Sequence, residues 1–162
     1  MKNESIRFYH LNYQIDKKRY SDWFWDNYRN GEWQPHFKRM YWWKLYKGVH
    51  EATKELQEEL NISGMNNFPR YQYQFANHAL GAHIDEDNLT GILFNLREKE
   101  NIICIRDVPY HYQAAVTHVG KYVHSVPADT EDRLVLKFSN ETLSLASIVA
   151  LAHQRLCCDA IT

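Results

Sequence analysis

From Arg70 onward the apolar residues recur with a period of two, whereas before it they recur at helical spacing. Val49, Ala52, Leu56 and Leu60 fall on one helical face, and Glu51, Lys54, Glu55, Glu58 and Glu59 fall mostly on the other. That pattern predicts one amphipathic helix over 47–60 with a single buried stripe. Ser21 is placed to cap a shorter helix over 21–30. Tyr20 and Trp25 would form its hydrophobic staple, and Arg29 with Gly31 marks its end. Asn61 to Asn67 reads as a loop, and Gly64 and Pro69 help to end the helical section.

Tyr71, Tyr73 and Phe75 then alternate with Gln72, Gln74 and Ala76, as in a half-buried strand, and residues 77–82 turn the chain into His83-Ile84-Asp85. Further strands are expected at 91–96, 102–106, 114–118, 121–126 and 133–139, with turns at 97–101, 107–109 and 127–132. A series of short strands of this kind predicts an antiparallel double-sheet jelly roll. Helices precede the strands, so the class is α+β, with a helical layer bracing one outer face. Near the end, Ser144 is placed to cap a helix carrying Leu145, Ile148, Val149, Ala152 and Leu156. Its apolar stripe needs a partner and is a candidate homodimer surface. The expected organisation is one domain: a mainly helical support layer at 1–67, a jelly-roll core at 68–140 and a C-terminal helix at 141–162.

Composition narrows the function classes. A net charge of −1 gives no footprint for a polyanion, so no nucleic-acid partner is expected, and Lys17-Lys18-Arg19 reads as a solvated helix approach. Cys104 stands alone and Cys157-Cys158 are adjacent, which makes neither a disulfide framework nor a metal knuckle. With no apolar leader and no stretch of membrane-spanning length, the expectation is a soluble, cytoplasmic protein. Aromatic residues make up 14% of the chain. Trp23, Phe24, Trp25, Trp33, Tyr41, Trp42 and Trp43 are too many for one exposed site, so most are assigned to the seam between the N-terminal layer and a sheet.

The candidate chemistry lies at His83-Ile84-Asp85, His124 and Arg133. Side chains two apart on a strand share a face, so His83 and Asp85 can aim at one ion. The tripeptide alone is a weak signal in a chain with 9 His; its position after an alternating strand, with His124 and Arg133 near or within later strands, carries the inference. Two imidazoles and a carboxylate on one face of an octahedron leave three positions open, the arrangement of non-haem Fe(II) oxygenases. The planar fork of Arg133 suits bidentate binding of a dicarboxylate co-substrate.

With these residues in order, Tyr71 to Ser139 resembles the catalytic core of the 2-oxoglutarate- and Fe(II)-dependent dioxygenase superfamily, a cupin-like double-stranded β-helix. The segment from His124 through Pro127 and Asp129 to Arg133 and Leu136 looks most like the prolyl-hydroxylase-like and aspartyl/asparaginyl β-hydroxylase-like branches. Two departures stand out. The Arg-x-Ser of some members is Arg133-Leu134-Val135 here, and Asp85 is present where the aspartyl/asparaginyl branch often lacks a metal-binding carboxylate.

The resemblance implies that His83, Asp85 and His124 bind Fe(II) and that Arg133 holds the distal carboxylate of 2-oxoglutarate. With O2 as the other co-substrate, it implies hydroxylation of an unactivated C–H bond with release of succinate and CO2. Tyr73 and Asn95 are candidates to hydrogen-bond 2-oxoglutarate from flanking strands. Lys137 shares strand parity with Arg133 and could add charge to the anchor. Glu86 and Asp87 read as surface acids, and His78, His111 and His118 match no zinc module. Arg70, Arg106, Trp33 and Tyr110 are conceivable pocket residues. The substrate is a small molecule or a protein residue. The competing reading is a non-enzymatic jelly-roll module, structural or ligand-binding, whose histidines are incidental.

Overall fold

The alternation read from Arg70 onward becomes two antiparallel sheets packed face to face. The computed structural model describes residues 8–36, 40–44, 46–60, 62, 67–86, 90–140 and 157–161. Its strands are β1 (Phe8–Asn12), β2 (Glu32–His36), β3 (Met40–Lys44), β4 (Asn67–Gln74), β5 (Leu80–His83), β6 (Thr90–Asn95), β7 (Asn101–Ile105), β8 (Val108–Tyr112), β9 (Ala114–Thr117), β10 (His124–Val126), β11 (Arg133–Asn140) and β12 (Cys157–Ile161). Its α-helices are α1 (Lys17–Asn27), α2 (Tyr46–Ala52) and α3 (Lys54–Glu59). The large sheet has eight strands in the order β12-β1-β9-β6-β11-β4-β3-β2, and the small sheet has four in the order β5-β10-β7-β8.

Strand parity separates two cores. On β6 and β11, Ile92, Phe94, Leu134, Leu136 and Phe138 pack with Tyr20 and Phe24 of α1 and with Leu56 of α3. The opposite faces of the same strands carry Leu93 and Val135, which pack against Ile103 and Ile105 of β7 and Tyr110 and Tyr112 of β8. Residues 133, 135 and 137 therefore look into the space between the sheets, while 134, 136 and 138 look toward the helices. Leu136 is fully buried, so Leu136→Ala is expected to lower unfolding free energy by about 3 kcal/mol in urea titration. The aromatic seam is present where it can be described: the Trp23 and Tyr71 rings stack at 6.0 Å, Phe24 meets Tyr71 at 4.9 Å, and the Tyr71 hydroxyl donates to the Tyr20 carbonyl at 2.8 Å. The side chains of Trp33, Tyr41, Trp42 and Trp43 lie outside the described residues.

Several boundaries differ from the sequence expectation for local physical reasons. Asp16, not Ser21, caps α1, accepting from the Arg19 amide at 3.0 Å, so the helix starts earlier and Ser21 lies inside it. The helix expected over 47–60 is divided into α2 and α3 at Thr53, whose buried hydroxyl and amide both donate to the Val49 carbonyl, at 2.7 and 3.0 Å.

The turn expected at 107–109 is a two-residue hairpin at Arg106-Asp107, with φ of 50° and 65°. Pro109 belongs to the next strand, β8, which tolerates it because β8 lies at the edge of the small sheet. The N-terminal section is not helical throughout: β1, β2 and β3 all join the large sheet. At the other end, Cys157–Ile161 is a strand paired with β1 rather than helix. The helix expected to begin near Ser144 and its dimer stripe lie outside the described residues. Among the described residues, no helix is long and apolar enough to cross a membrane.

Candidate functional site

β5 and β10 pair antiparallel with His83 directly opposite His124, which places the two imidazole centroids 4.3 Å apart. Asp85 lies two residues past the end of β5, fixed by its amide donating to the Val119 carbonyl at 3.0 Å. One ligand atom from each of His83, Asp85 and His124 lies within 4.8 Å of the others. Asp85 Oδ1 is 3.2 Å from His83 Nε2 and 3.4 Å from His124 Nε2.

The tautomers are set by the backbone. His83 Nδ1 faces the Gly81 carbonyl at 2.7 Å, and His124 Nδ1 faces the Tyr122 carbonyl at 3.1 Å. A carbonyl can only accept, so each Nδ1 carries the proton and, in the neutral ring, each Nε2 presents a lone pair toward Asp85. The Nε2 atoms of His83 and His124 and one Asp85 carboxylate oxygen, converging from two chain segments, are a donor set suited to a divalent iron-type ion. Burial opposes the charged form of His83, but its bonds to Asp85 and to the Gly81 carbonyl outweigh this and raise its pKa. The raised value describes an imidazole beside a carboxylate; a bound cation would need the neutral ring.

Lys137 completes the cluster from the opposite sheet. Its Nζ lies 3.1 Å from Asp85 Oδ2, so the carboxylate gives one oxygen to the imidazoles and the other to an ammonium. Burial works against the Asp85 charge, but Lys137 and the two imidazoles overcome it and hold the carboxyl well below the usual range. Burial pushes the Lys137 ammonium down, and Asp85 partly restores it. Gly91 makes room for this lysine. A Cβ there would come within 3.0 Å of Lys137 Cε.

Arg133 stands two pleat repeats away, on the same face of β11 as Lys137, and lines the same cavity. It is 2% exposed yet poorly satisfied: Nη1 reaches Gln74 Oε1 at 3.4 Å, Nη2 reaches Asp129 Oδ2 at 3.5 Å, and Nε has no partner among the described residues. Burial, then the neighbouring Arg97 guanidinium, lowers its pKa. A buried guanidinium with long contacts and an unpaired N–H has donors to offer an anion. Tyr112 lines the same cavity, its phenol pushed up to about 12 by burial against the opposing, lowering effect of the Arg133 guanidinium.

Asp129 sits behind Arg133, receiving Arg97 at 2.7 Å and Lys99 at 2.8 Å. Hydrogen bonds from Lys99 and Arg97 hold its carboxyl far below the usual range. A carboxyl depressed in the folded state stabilises the fold above its unfolded pKa of roughly 4 and loses that contribution as pH falls below it. The Asp129→Asn variant is therefore expected to show a shallower loss of Tm between pH 5 and pH 2 than the parent.

The candidate residues divide cleanly. His83, Asp85, His124, Arg133 and Lys137 line one cavity, together with Gln72, Gln74, Leu93, Ile103, Tyr112 and Val135. Tyr73 and Asn95 do not. Tyr73 has the opposite parity to Gln72 and Gln74, points to the outer face and is bonded to Asp132 at 2.5 Å. Asn95 braces the following turn, donating to the carbonyls of Arg97 and Lys99. Lys137 contacts the metal-type cluster rather than the Arg133 anchor.

Arg70 is buried against Ser139, Tyr110 stacks on Phe8 in the core between the sheets, and Arg106 lies over the Tyr122 ring. Glu86 is exposed, while Asp87 is outside the described residues. Tyr112 and the two glutamines were missed by sequence reasoning; the alternating strand itself held the signal, since Gln72 and Gln74 are its polar parity.

No family model matches the chain, and no curated protein matches it. Solved structures do. A Pseudomonas putida prolyl-4-hydroxylase superposes with a TM-score of 0.57 at 10% identity, covering 86% of this chain and 95% of that one. A prolyl hydroxylase from Trichoplax adhaerens, solved with a hypoxia inducible factor oxygen degradation domain peptide fragment, gives 0.59 at 9% identity, over 91% of this chain and 88% of that one. The fold is the double-stranded β-helix that these two hydroxylases share. An oxidoreductase of the 2OG-Fe(II) oxygenase family from Burkholderia pseudomallei agrees, with 0.50 at 12% identity over 76% of this chain and 81% of that one. In this fold one cavity between the sheets is lined by the two imidazoles, the carboxylate and the buried guanidinium.

Proposed function

We propose that the chain is a 2-oxoglutarate- and Fe(II)-dependent dioxygenase that hydroxylates an unactivated C–H bond, with release of succinate and CO2. His83, Asp85 and His124 would hold the iron, and Arg133 would hold the distal carboxylate of 2-oxoglutarate. One observation carries the reading: a two-imidazole, one-carboxylate cluster with both Nε2 atoms directed inward shares its cavity with an under-satisfied buried guanidinium. A structural zinc site or a plain jelly-roll module gives no reason to bury such an arginine there.

Iron bound by three protein ligands would supply open positions at which O2 is activated and the 2-oxo acid is chelated. The protein's own part is positioning. The backbone carbonyls of Gly81 and Tyr122 fix the imidazole tautomers, Lys137 holds the outer oxygen of Asp85, and Arg133 provides a fork for a carboxylate with Tyr112 beside it. Leu93, Ile103 and Val135 form apolar walls that limit water in the cavity.

A residue on a peptide, or a small molecule carrying a comparable C–H bond, is the substrate class. The peptide bound by the Trichoplax adhaerens relative of fold supports the first. The test is 2-oxoglutarate turnover with Fe(II) across peptide and small-molecule panels, read by succinate formation and by product mass. Succinate that rises with a substrate and a product heavier by one oxygen are expected. Absence of both with folded, iron-loaded protein would remove the proposal.

A further inference from the structure

Asp129 Oδ2 is the acceptor for two guanidiniums at once. It lies 2.7 Å from Arg97 Nη2 but 3.5 Å from Arg133 Nη2, and Asp129 Oδ1 takes Lys99 at 2.8 Å. Asp129 Oδ1 also accepts the Glu131 amide at 3.3 Å, which ties the carboxylate to its own turn. The carboxylate is thus drawn toward Arg97 and Lys99 and only grazes Arg133. A full ion pair between Asp129 and Arg133 would occupy the fork that an incoming carboxylate needs.

We infer that Arg97 and Lys99 act as a clamp that keeps Asp129 off Arg133, and so keep the cavity competent for a dicarboxylate; this rests on the assignment of Arg133 as the co-substrate anchor. Neither clamp residue lines the cavity. Both reach Asp129 from the turn after β6, and Asn95 braces that turn through the carbonyls of residues 97 and 99. The clamp has a second consequence: with the charge of Asp129 offset by two other cations, the attraction of Arg133 for a ligand carboxylate is cancelled less than it would be beside a private aspartate. Arg97 and Lys99 are positioning residues, acting through Asp129.

The two sides of this balance make opposite predictions for the same ligand. Removing the clamp should release Asp129 to pair with Arg133 and weaken anion binding. Removing the Asp129 charge should leave Arg133 open whether or not the clamp is present. A merely structural role for Arg97 predicts no such rescue, because Asp129→Asn removes still more of the ion-pair network.

The experiment is calorimetric titration of the full chain, loaded with redox-inert Mn(II), with 2-oxoglutarate. Arg97→Met combined with Lys99→Met should weaken binding about tenfold, the size of one partly buried charge-assisted hydrogen bond. Asp129→Asn in that background should restore the parent affinity, and Asp129→Asn alone should bind at least as tightly as the parent. An unchanged affinity in the clamp variant overturns the inference, as does failure of Asp129→Asn to rescue it or a loss of binding in Asp129→Asn alone. The anchor assignment fails separately: in that case the parent does not bind 2-oxoglutarate, or Arg133→Met binds it as the parent does. If the clamp variant is unstable, the single Arg97→Met variant with and without Asp129→Asn gives the same comparison.

Discussion

His83→Ala is expected to abolish Fe(II) binding while leaving the fold intact. His83 closes β5 at the edge of the small sheet, and its side chain is committed to the cluster rather than to either apolar core. With it gone, two of the three proposed ligands remain, His124 and Asp85. Changes outside the ligands of a metal centre already weaken binding by roughly 10–100-fold, so loss of a ligand should exceed about a hundredfold. Anaerobic equilibrium dialysis followed by metal analysis reads the loss, and far-UV circular dichroism checks the fold. Asp85→Ala should lose iron equally but also stability, because it strands the buried Lys137 ammonium without its counter-ion. The difference in Tm between the two variants therefore measures the ion pair that spans the sheets.

Arg133→Met should do the reverse, sparing iron and losing the co-substrate. Methionine keeps the buried stem and removes the fork, whose Nε has no partner among the described residues and whose two other contacts are long. Little intramolecular bonding is lost with it. A bidentate, charge-assisted pair to a carboxylate is worth about 3 kcal/mol, or about a hundredfold in affinity. Titration of the Mn(II)-loaded protein with 2-oxoglutarate should show that fall, with Mn(II) affinity unchanged. An Arg133→Met variant that binds 2-oxoglutarate normally would make Lys137 the first candidate for the anchor instead, since it is the other buried cation on that face of β11.

The parts of this architecture that were legible in the sequence are those where one local rule dominates. β6, β7, β9 and β11 stand close to their expected positions because their alternation or continuous apolar runs match their burial. The β8 strand was hidden by Asp107 and Pro109, turn residues that the hairpin and the sheet edge both accommodate. β2 and β3 were hidden by the neighbouring aromatics, which read equally well as a packing seam. β1 and β12 pair residues from the two ends of the chain, Phe8 with Ile161, and no local pattern announces a partner that distant.

The site divides in the same way. Sequence order and strand parity were enough to bring His83, Asp85, His124 and Arg133 to one cavity. Tyr73 lies on the wrong parity for the pocket, which the glutamines on either side of it line instead. Asn95 fails for another reason, since its amide is drawn away by the carbonyls of the turn it closes. Lys137 was read along its strand toward Arg133, but its long stem crosses to the other sheet and meets Asp85. Side-chain reach across the sandwich is not written in strand spacing.

The most direct test of the central claim is the visible absorption spectrum of the protein under anaerobic conditions with Fe(II) and 2-oxoglutarate added together. The account predicts a weak metal-to-ligand charge-transfer band that requires both additions, is lost in His83→Ala, and needs far more 2-oxoglutarate in Arg133→Met. A folded parent protein that shows no such band with both additions at saturating concentration would contradict it.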